Sequence, residues 1–382
     1  MKEKRGAGEM KNVLKHAIAP LALGLLLVGC GTADDAGQTG QAGSNDSDVS
    51  FEHVPERFAD GEEVKVKVIR KIGGDDHTAQ FLAGAQEEGS ALGFDVETFT
   101  ANGNTEAFHD AIAQAVNGDY DGVIISHGDD QATIEGVQEL VDSGKSVVAF
   151  DSDGGLLDIE GVTLTSQDDE ELASLALNQL VEDFDGEANI VYLWVDGFPP
   201  MVRRNNVYQE VLDSNPGINE LERFGVAAED TSVQTQNAVS AMLTKYPEGE
   251  IDAIFATWDA FAIGATRALK EAGREDIAIY GIDISNADLQ ELQEEGNPWK
   301  YTAAVDPKLI GAVNVRILAK KLAGEETPQT YDLEASLVSQ DQLLGQEESV
   351  NMVNLADIIE GWGQTDAFEE DWMKELKEHY QQ

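Results

Sequence analysis

From Val64 to Val338, short apolar runs alternate with stretches whose apolar residues recur at helical spacing, and this alternation points to a parallel α/β architecture. Val64–Arg70, Phe94–Phe99, Tyr120–Ser126 and Ser146–Asp151 read as strands, with helical patterns between them. The run Gly122-Val123-Ile124-Ile125 has no polar residue, as a strand covered on both faces requires. A second set follows, with strands at Val162–Thr165, Asn189–Trp194, Leu221–Val226, Ile251–Ala256, Ile277–Ile282 and Lys300–Ala304. Helical patterns cover Asp168–Phe184, Val202–Leu212, Thr231–Tyr246 and Pro307–Leu322. Gly273 is placed to close the helix that carries Phe261, Ala265 and Leu269. Tyr331–Val338 alternates like one further strand. Crossovers between parallel strands are right-handed, so the pattern predicts two doubly wound α/β lobes. Val353–Ile359 and Phe368–His379 look helical and are expected to pack on the second lobe, with Trp362 and Trp372 as apolar points.

Ligands of open α/β sheets bind beyond the carboxyl ends of the strands, so the residues that follow each strand are the candidates. The first half offers Asp75, Asp76 and His77, then Ser126, His127, Asp129 and Asp130, then Asp151, Ser152 and Asp153. The second half offers Asp196 and Phe198, then Thr257, Trp258 and Asp259, then Asp283; Arg203 and Arg204 open a helix on the same side. Carboxylates accept two hydroxyl hydrogen bonds and a guanidinium donates two in a fixed fork. With Trp258 as an amphipathic face, such a set suits a neutral polyhydroxyl ligand in a cleft between lobes. Trp258 can also be read as core, and Asp259 as the N-cap of the helix that follows; Asp129 and Asp168 read as N-caps too. His77 and His127 with Asp75, Asp76 and Asp151 have the chemistry for a divalent metal, but no HxH or HxxxH spacing supports one. A glycosidase pair needs one acid in an apolar pocket, and nothing in the sequence orders that. No cofactor is expected and binding, not catalysis, is the reading.

The 382 residues include 73 acidic and 25 basic side chains, a net charge of -48. That balance excludes nucleic acid as a partner and gives no pull toward anionic lipid. Dispersed acidity keeps a chain soluble by self-repulsion and suits high salt or high pH. Near the start, Lys11 and Lys15 precede an apolar stretch from Ala17 to Val28, too short for a comfortable membrane span, which ends in Leu27-Val28-Gly29-Cys30. Cys30 is the only cysteine, so no internal disulfide forms. The pattern resembles a bacterial lipobox, in which the chain is cut before the cysteine and the cysteine is lipidated. Residues 1–29 are then a lipoprotein signal peptide, with Met1 or Met10 as the start. Residues 30–62, poor in apolar side chains until Phe51, are expected to be a disordered acidic tether. The implied location is the cell membrane, lipid-anchored, on the extracytoplasmic side.

From about Val64 to Val338 the chain resembles a type I periplasmic solute-binding protein of the ribose-binding kind, the receptor of an ABC importer. The segments that carry the resemblance are Phe81-Leu82-Ala83-Gly84-Ala85-Gln86, Tyr120-Asp121-Gly122-Val123-Ile124-Ile125, Val147-Val148-Ala149-Phe150-Asp151, Phe255-Ala256-Thr257-Trp258-Asp259 and Tyr280-Gly281-Ile282-Asp283. The resemblance implies two lobes, 63–167 with 306–335 and 168–305 with 336–382, joined by a three-crossover hinge that closes on ligand. It implies hydroxyl contacts at Asp75 and Ser126, a stacking position at His77, ligand aspartates at Asp151 and Asp283, and a ligand-facing arginine at Arg204 or Arg203. Trp258 stands where ribose binders have an asparagine, Ser152 replaces an arginine, and Val305 stands where a polar contact is usual. These departures point from ribose toward another sugar, a polyol or a sugar-like signal. The implied function is a monomeric receptor delivering solute to an ABC permease; handing a ligand to a signalling partner is the alternative, and a carbohydrate-processing enzyme the more distant one. Similar cores occur in repressors, but the place of their helix-turn-helix here holds the lipobox and tether.

Overall fold

The computed structural model describes residues 51 and 53–381; the lipobox, Cys30 and the signal segment lie outside the described residues. The strands are β1 (Val64–Arg70), β2 (Phe94–Thr100), β3 (Gly122–Ser126), β4 (Ser146–Phe150), β5 (Val162–Gln167), β6 (Glu187–Leu193), β7 (Gly217–Phe224), β8 (Ala253–Ala256), β9 (Ala278–Ile282), β10 (Trp299–Ala304), β11 (Thr330–Leu333) and β12 (Ser336–Ser339). The helices are α1 (Glu56–Ala59), α2 (Asp76–Ala91), α3 (Thr105–Asn117), α4 (Gln131–Asp142), α5 (Asp169–Asp183), α6 (Pro199–Ser214), α7 (Thr231–Lys245), α8 (Asp259–Ala272), α9 (Asn286–Leu292), α10 (Pro307–Leu322), α11 (Gln340–Leu344) and α12 (Asp371–Tyr380).

Two six-stranded sheets result, ordered β11-β5-β4-β3-β1-β2 and β12-β10-β9-β8-β6-β7. The first is parallel throughout; in the second only β12 runs against its neighbour. Each sheet centres on strands buried along their whole length, such as β3 (Gly-Val-Ile-Ile-Ser) and β8 (Ala-Ile-Phe-Ala). Helices on both faces supply that cover, which is why these strands carry no alternation. The chain passes from the first sheet to the second after β5, back after β10, and over again between β11 and β12. The run Tyr331–Val338, which alternates like one strand, is therefore two strands in two sheets; the break at Glu334-Ala335 lies between them. Periodicity of two continues across a crossing of extended chain, so the alternation could not reveal it.

In the first lobe α2 packs against α10 at very short range. A Cβ on Gly84 would come within 2.0 Å of the Lys308 carbonyl oxygen, and one on Gly311 within 2.2 Å of that of Phe81. Gly273 ends α8 in the left-handed conformation, its N–H donating to the carbonyls of Leu269 and Lys270.

Two expectations are corrected at the ends of the described chain. Residues 51–62 are not all tether: α1 places Phe58 in the core, where it stacks on Trp372 with ring centroids 5.1 Å apart. The C-terminal stretch divides between the lobes. Val350, Met352, Leu355 and Trp362 enter the core of the second lobe. Trp372, Met373 and Leu376 of α12 instead bury with Phe58, Leu92 and Phe94 of the first. Glu88 of α2 receives both Arg316 Nε and Lys377 Nζ at 2.7 Å, and the Thr365 carbonyl accepts from Arg316 Nη1 at 2.8 Å. The apolar face of α12 seats on the apolar surface that α1 and α2 leave open, a match of two distant segments invisible to a local pattern. Among the described residues no helix is long and apolar enough to cross a membrane.

Candidate functional site

The carboxyl ends of the strands in both sheets converge on one cavity. Arg70 ends β1, His127 follows β3, Asp151 follows β4 and Gln167 ends β5. From the other lobe come Val195 beyond β6, Trp258 beyond β8, Asp283 beyond β9 and Arg204 from α6.

Three of these side chains share one backbone device. His127, Asp151 and Asp283 each stand directly after a strand with positive φ, at 64°, 46° and 75°. Each N–H donates to the end of the neighbouring strand: His127 to the Phe150 carbonyl (3.0 Å), Asp151 to Thr165 (2.9 Å) and Asp283 to Ala303 (2.9 Å). The ladder thus runs one residue past the strand before the backbone turns left-handed. Asp and His are among the non-glycine residues that tolerate that turn best, and such strained positions gather at functional sites.

A buried network of charges links the lobes. Asp169, the first residue of α5, accepts from Arg204 Nε at 2.7 Å and from Arg203 Nη2 at 2.6 Å. Arg204 Nη1 donates to the Thr257 carbonyl at 2.6 Å, and its Nη2 lies 3.3 Å from Asp283 Oδ1. Arg203 Nη2 reaches Asp151 Oδ1 at 3.3 Å, and Gln167 Nε2 reaches Asp283 Oδ1 at 3.4 Å. Arg70 lies over the Phe81 ring at 4.9 Å and donates to Thr78 Oγ1 and Ser126 Oγ, each at 3.1 Å. Two buried polar atoms of the cavity wall, His77 Nε2 and Gln167 Oε1, have no hydrogen-bond partner.

Burial sets the protonation states. It pushes the Asp151 carboxyl up to about 8, with the neighbouring Asp169 carboxylate adding to the rise and Arg203 opposing it. It holds His77 and His127 below the ordinary imidazole range, where Arg70 also repels a second positive charge, so both rings are neutral at pH 7. Burial opposes ionisation of Asp75 too, but Arg70, His77 and the hydrogen bonds from Thr78 outweigh it and lower its pKa. At neutral pH the cavity therefore offers guanidinium donors, ionised acceptors, and neutral groups that both donate and accept. That mixture reads hydroxyls, each of which donates once and accepts twice.

The structure divides the sequence candidates. Asp75, His77, His127, Asp151, Arg204, Trp258 and Asp283 line the cavity. Asp75 also caps α2, accepting from the Thr78 N–H at 2.7 Å. Asp76 faces elsewhere: its Oδ2 accepts from the Asn286 N–H at 2.9 Å, a link between lobes. Ser126 lies beneath the wall, held by Arg70 and by His127 Nδ1 at 2.8 Å, and Arg203 bridges Asp151 and Asp169 from behind. Asp168 caps α5, but α4 is capped by Asp130, not Asp129, which pairs with Lys71. Trp258, not Asp259, occupies the N-cap position of α8; Asp259 sits one residue inside, buried beside Asp288, and burial with that neighbour's charge raises its pKa. Ser152 ties the loops, donating to the Phe150 carbonyl and accepting from the Gly128 N–H. Sequence reasoning missed Arg70 and Gln167, which end strands rather than follow them, and Met201 and Ala227 on the apolar side. Among the described residues no group of three His, Cys, Asp or Glu side chains is placed to hold a metal ion.

Residues 66–326 match the family model of the periplasmic binding protein domain. This chain belongs to that family. The fold is shared with the crystal structure of a sugar ABC transporter from Yersinia enterocolitica subsp. enterocolitica 8081, 48% identical with a TM-score of 0.83 over 87% of this chain and 99% of that one. It is shared too with a 5-methylthioribose transporter solute-binding protein from Thermotoga lettingae TMO, solved with 5-methylthioribose: 30% identical, TM-score 0.78, covering 83% of this chain and 99% of that one. The ribose import binding protein of Salmonella typhimurium is 34% identical over 102 residues, 27% of this chain; the match spans only 33% of that protein's length.

Proposed function

We propose that this periplasmic binding protein is the solute receptor of a sugar ABC importer, which captures a sugar or polyol in the cavity between its lobes and delivers it to the permease. The observation that carries the reading is the pair of buried, unpaired polar atoms, His77 Nε2 and Gln167 Oε1, in a wall that also holds Arg70, Asp75, Asp151, Arg204 and Asp283. Leaving a buried polar atom unpaired costs about 1–3 kcal/mol, which a ligand hydroxyl would relieve. Sugar importers among the similar structures support the solute class.

Capture works by closure. Asp76 to the Asn286 N–H, Arg203 to Asp151 and Gln167 to Asp283 all join one lobe to the other, so each forms only when the lobes meet. A solute that adds hydrogen bonds to both lobes favours that state in proportion to its differential affinity. The geometry suits binding over turnover: Ser126 Oγ, which lies beside the His127 imidazole, is turned to Arg70 within the wall. The lipobox-like run that ends at Cys30 supports a lipid anchor on the outer side of the cell membrane.

A thermal-shift screen tests the reading. Pentoses, hexoses and polyols, with ribose and 5-methylthioribose among them, are added to the chain one at a time. A ligand that binds only the folded state raises Tm by mass action. The expected result is a clear rise with at least one sugar or polyol; no rise with any of them, and a rise with a divalent cation instead, would overturn it.

A further inference from the structure

The cavity wall has two unlike halves. Arg70, Asp75, His77, His127, Asp151, Gln167, Arg204 and Asp283 form one, with Arg204 at its border, bonded to the carbonyl of Thr257 beside Trp258. Ile72, Val195, Phe198, Met201, Ala227 and Trp258 form the other. The second half holds no carboxylate, guanidinium or amide side chain, and the polar atoms of Met201 are already engaged: its carbonyl accepts from Trp194 Nε1 at 2.8 Å and its Sδ from Thr257 Oγ1 at 3.4 Å. Ile72, Phe198, Ala227 and Trp258 also line a second space that adjoins the first, whose far side is lined by Lys71, Asn102, Thr105, Asp129 and Glu229. The apolar half is therefore a partition that opens onto further room, not a closed end.

A ligand hydroxylated all round would lose water on this side and gain few hydrogen bonds, which is unfavourable. A ligand with hydroxyls on one end and an apolar group on the other would satisfy both halves. From this partition we infer that the solute is a pentose-sized sugar bearing a non-polar substituent, such as an alkyl or alkylthio group, seated among Ile72, Phe198, Met201 and Trp258. The inference rests on the sugar-receptor reading and narrows it. One methyl or methylene in an apolar pocket discriminates by about 10–200-fold.

The test is calorimetric titration of the chain with ribose and with 5-methylthioribose. The expected result is at least tenfold tighter binding of the substituted sugar, and loss of most of that preference in Phe198→Asn, with Ile72→Ser on the opposite lobe as the second variant. Equal or tighter binding of ribose would overturn the inference and leave the receptor reading intact. A preference unchanged in both variants would also overturn it, because the substituent would then lie elsewhere. Binding of neither compound, nor of any sugar or polyol, would overturn both readings together.

Discussion

Asp288 shows what a single buried acid does to this molecule. It lies in the first turn of α9, fully buried against Ser285 and the Asp259 carboxyl. Burial, with Asp283 and Asp76 adding to it, pushes its pKa up to about 8 from 3.8. Folding therefore takes up a proton between these two values, and the stability it contributes is present at low pH and falls as pH rises through that window. Asp288→Asn removes the titration. Urea unfolding at pH 5 and pH 7 is expected to show the variant gaining on the wild type as pH rises, by at most about 1.4 kcal/mol per pH unit; a difference independent of pH would contradict the assignment. At this scale the sequence told residue types well and facings less well. Asp75 and Asp76 are neighbours, as are Arg203 and Arg204, and successive positions on a helix point about 100° apart. Helix phase decides which member faces the cavity, and capping by Asp75 fixes that phase only in three dimensions. Arg70 and Gln167 carried no signal of their own, since a polar residue ending a strand is unremarkable until the sheets are assembled.

Elements were the most legible level, because strands buried on both faces leave long apolar runs and helices leave their period. The exceptions are those whose partners are remote. Phe58, in a segment that reads as tether, packs under α12, and α12 was expected on the wrong lobe. Trp372→Ala in that helix empties a buried indole site and removes the indole N–H that Glu325 accepts at 2.8 Å, leaving Glu325 its ion pair with Lys320. The expected cost is about 3–5 kcal/mol, read by chemical denaturation; an exposed, unattached α12 would show almost none. The contact of α2 with α10 is a second check. Gly84→Ala sets a methyl group against the Lys308 carbonyl, which backbone must move to admit, so a loss of about 2–3 kcal/mol is expected in the same assay.

For the whole molecule the arrangement of lobes follows from connectivity. Three passages between sheets leave the carboxyl ends of both facing one space, and every ligand candidate that lines the cavity sits on such an end or on a helix starting there. The sequence announced two α/β halves, but not that one alternating run would serve both sheets. The net charge of -48 acts at this scale as well. Self-repulsion among surface acids is screened by salt, so raising ionic strength from about 0.1 to about 1 M is expected to raise Tm; a flat response would show that the acidity is thermodynamically idle. The claim that the facing strand ends hold the solute is tested most directly by calorimetric titration of the best ligand from the thermal screen into wild type, Asp151→Asn and Asp283→Asn. Loss of the hydrogen bonds that each carboxyl group makes to the ligand, worth about 1–3 kcal/mol, predicts affinity at least about fivefold weaker in each variant. Wild-type affinity in both, with the proteins folded, would contradict the placement of the site.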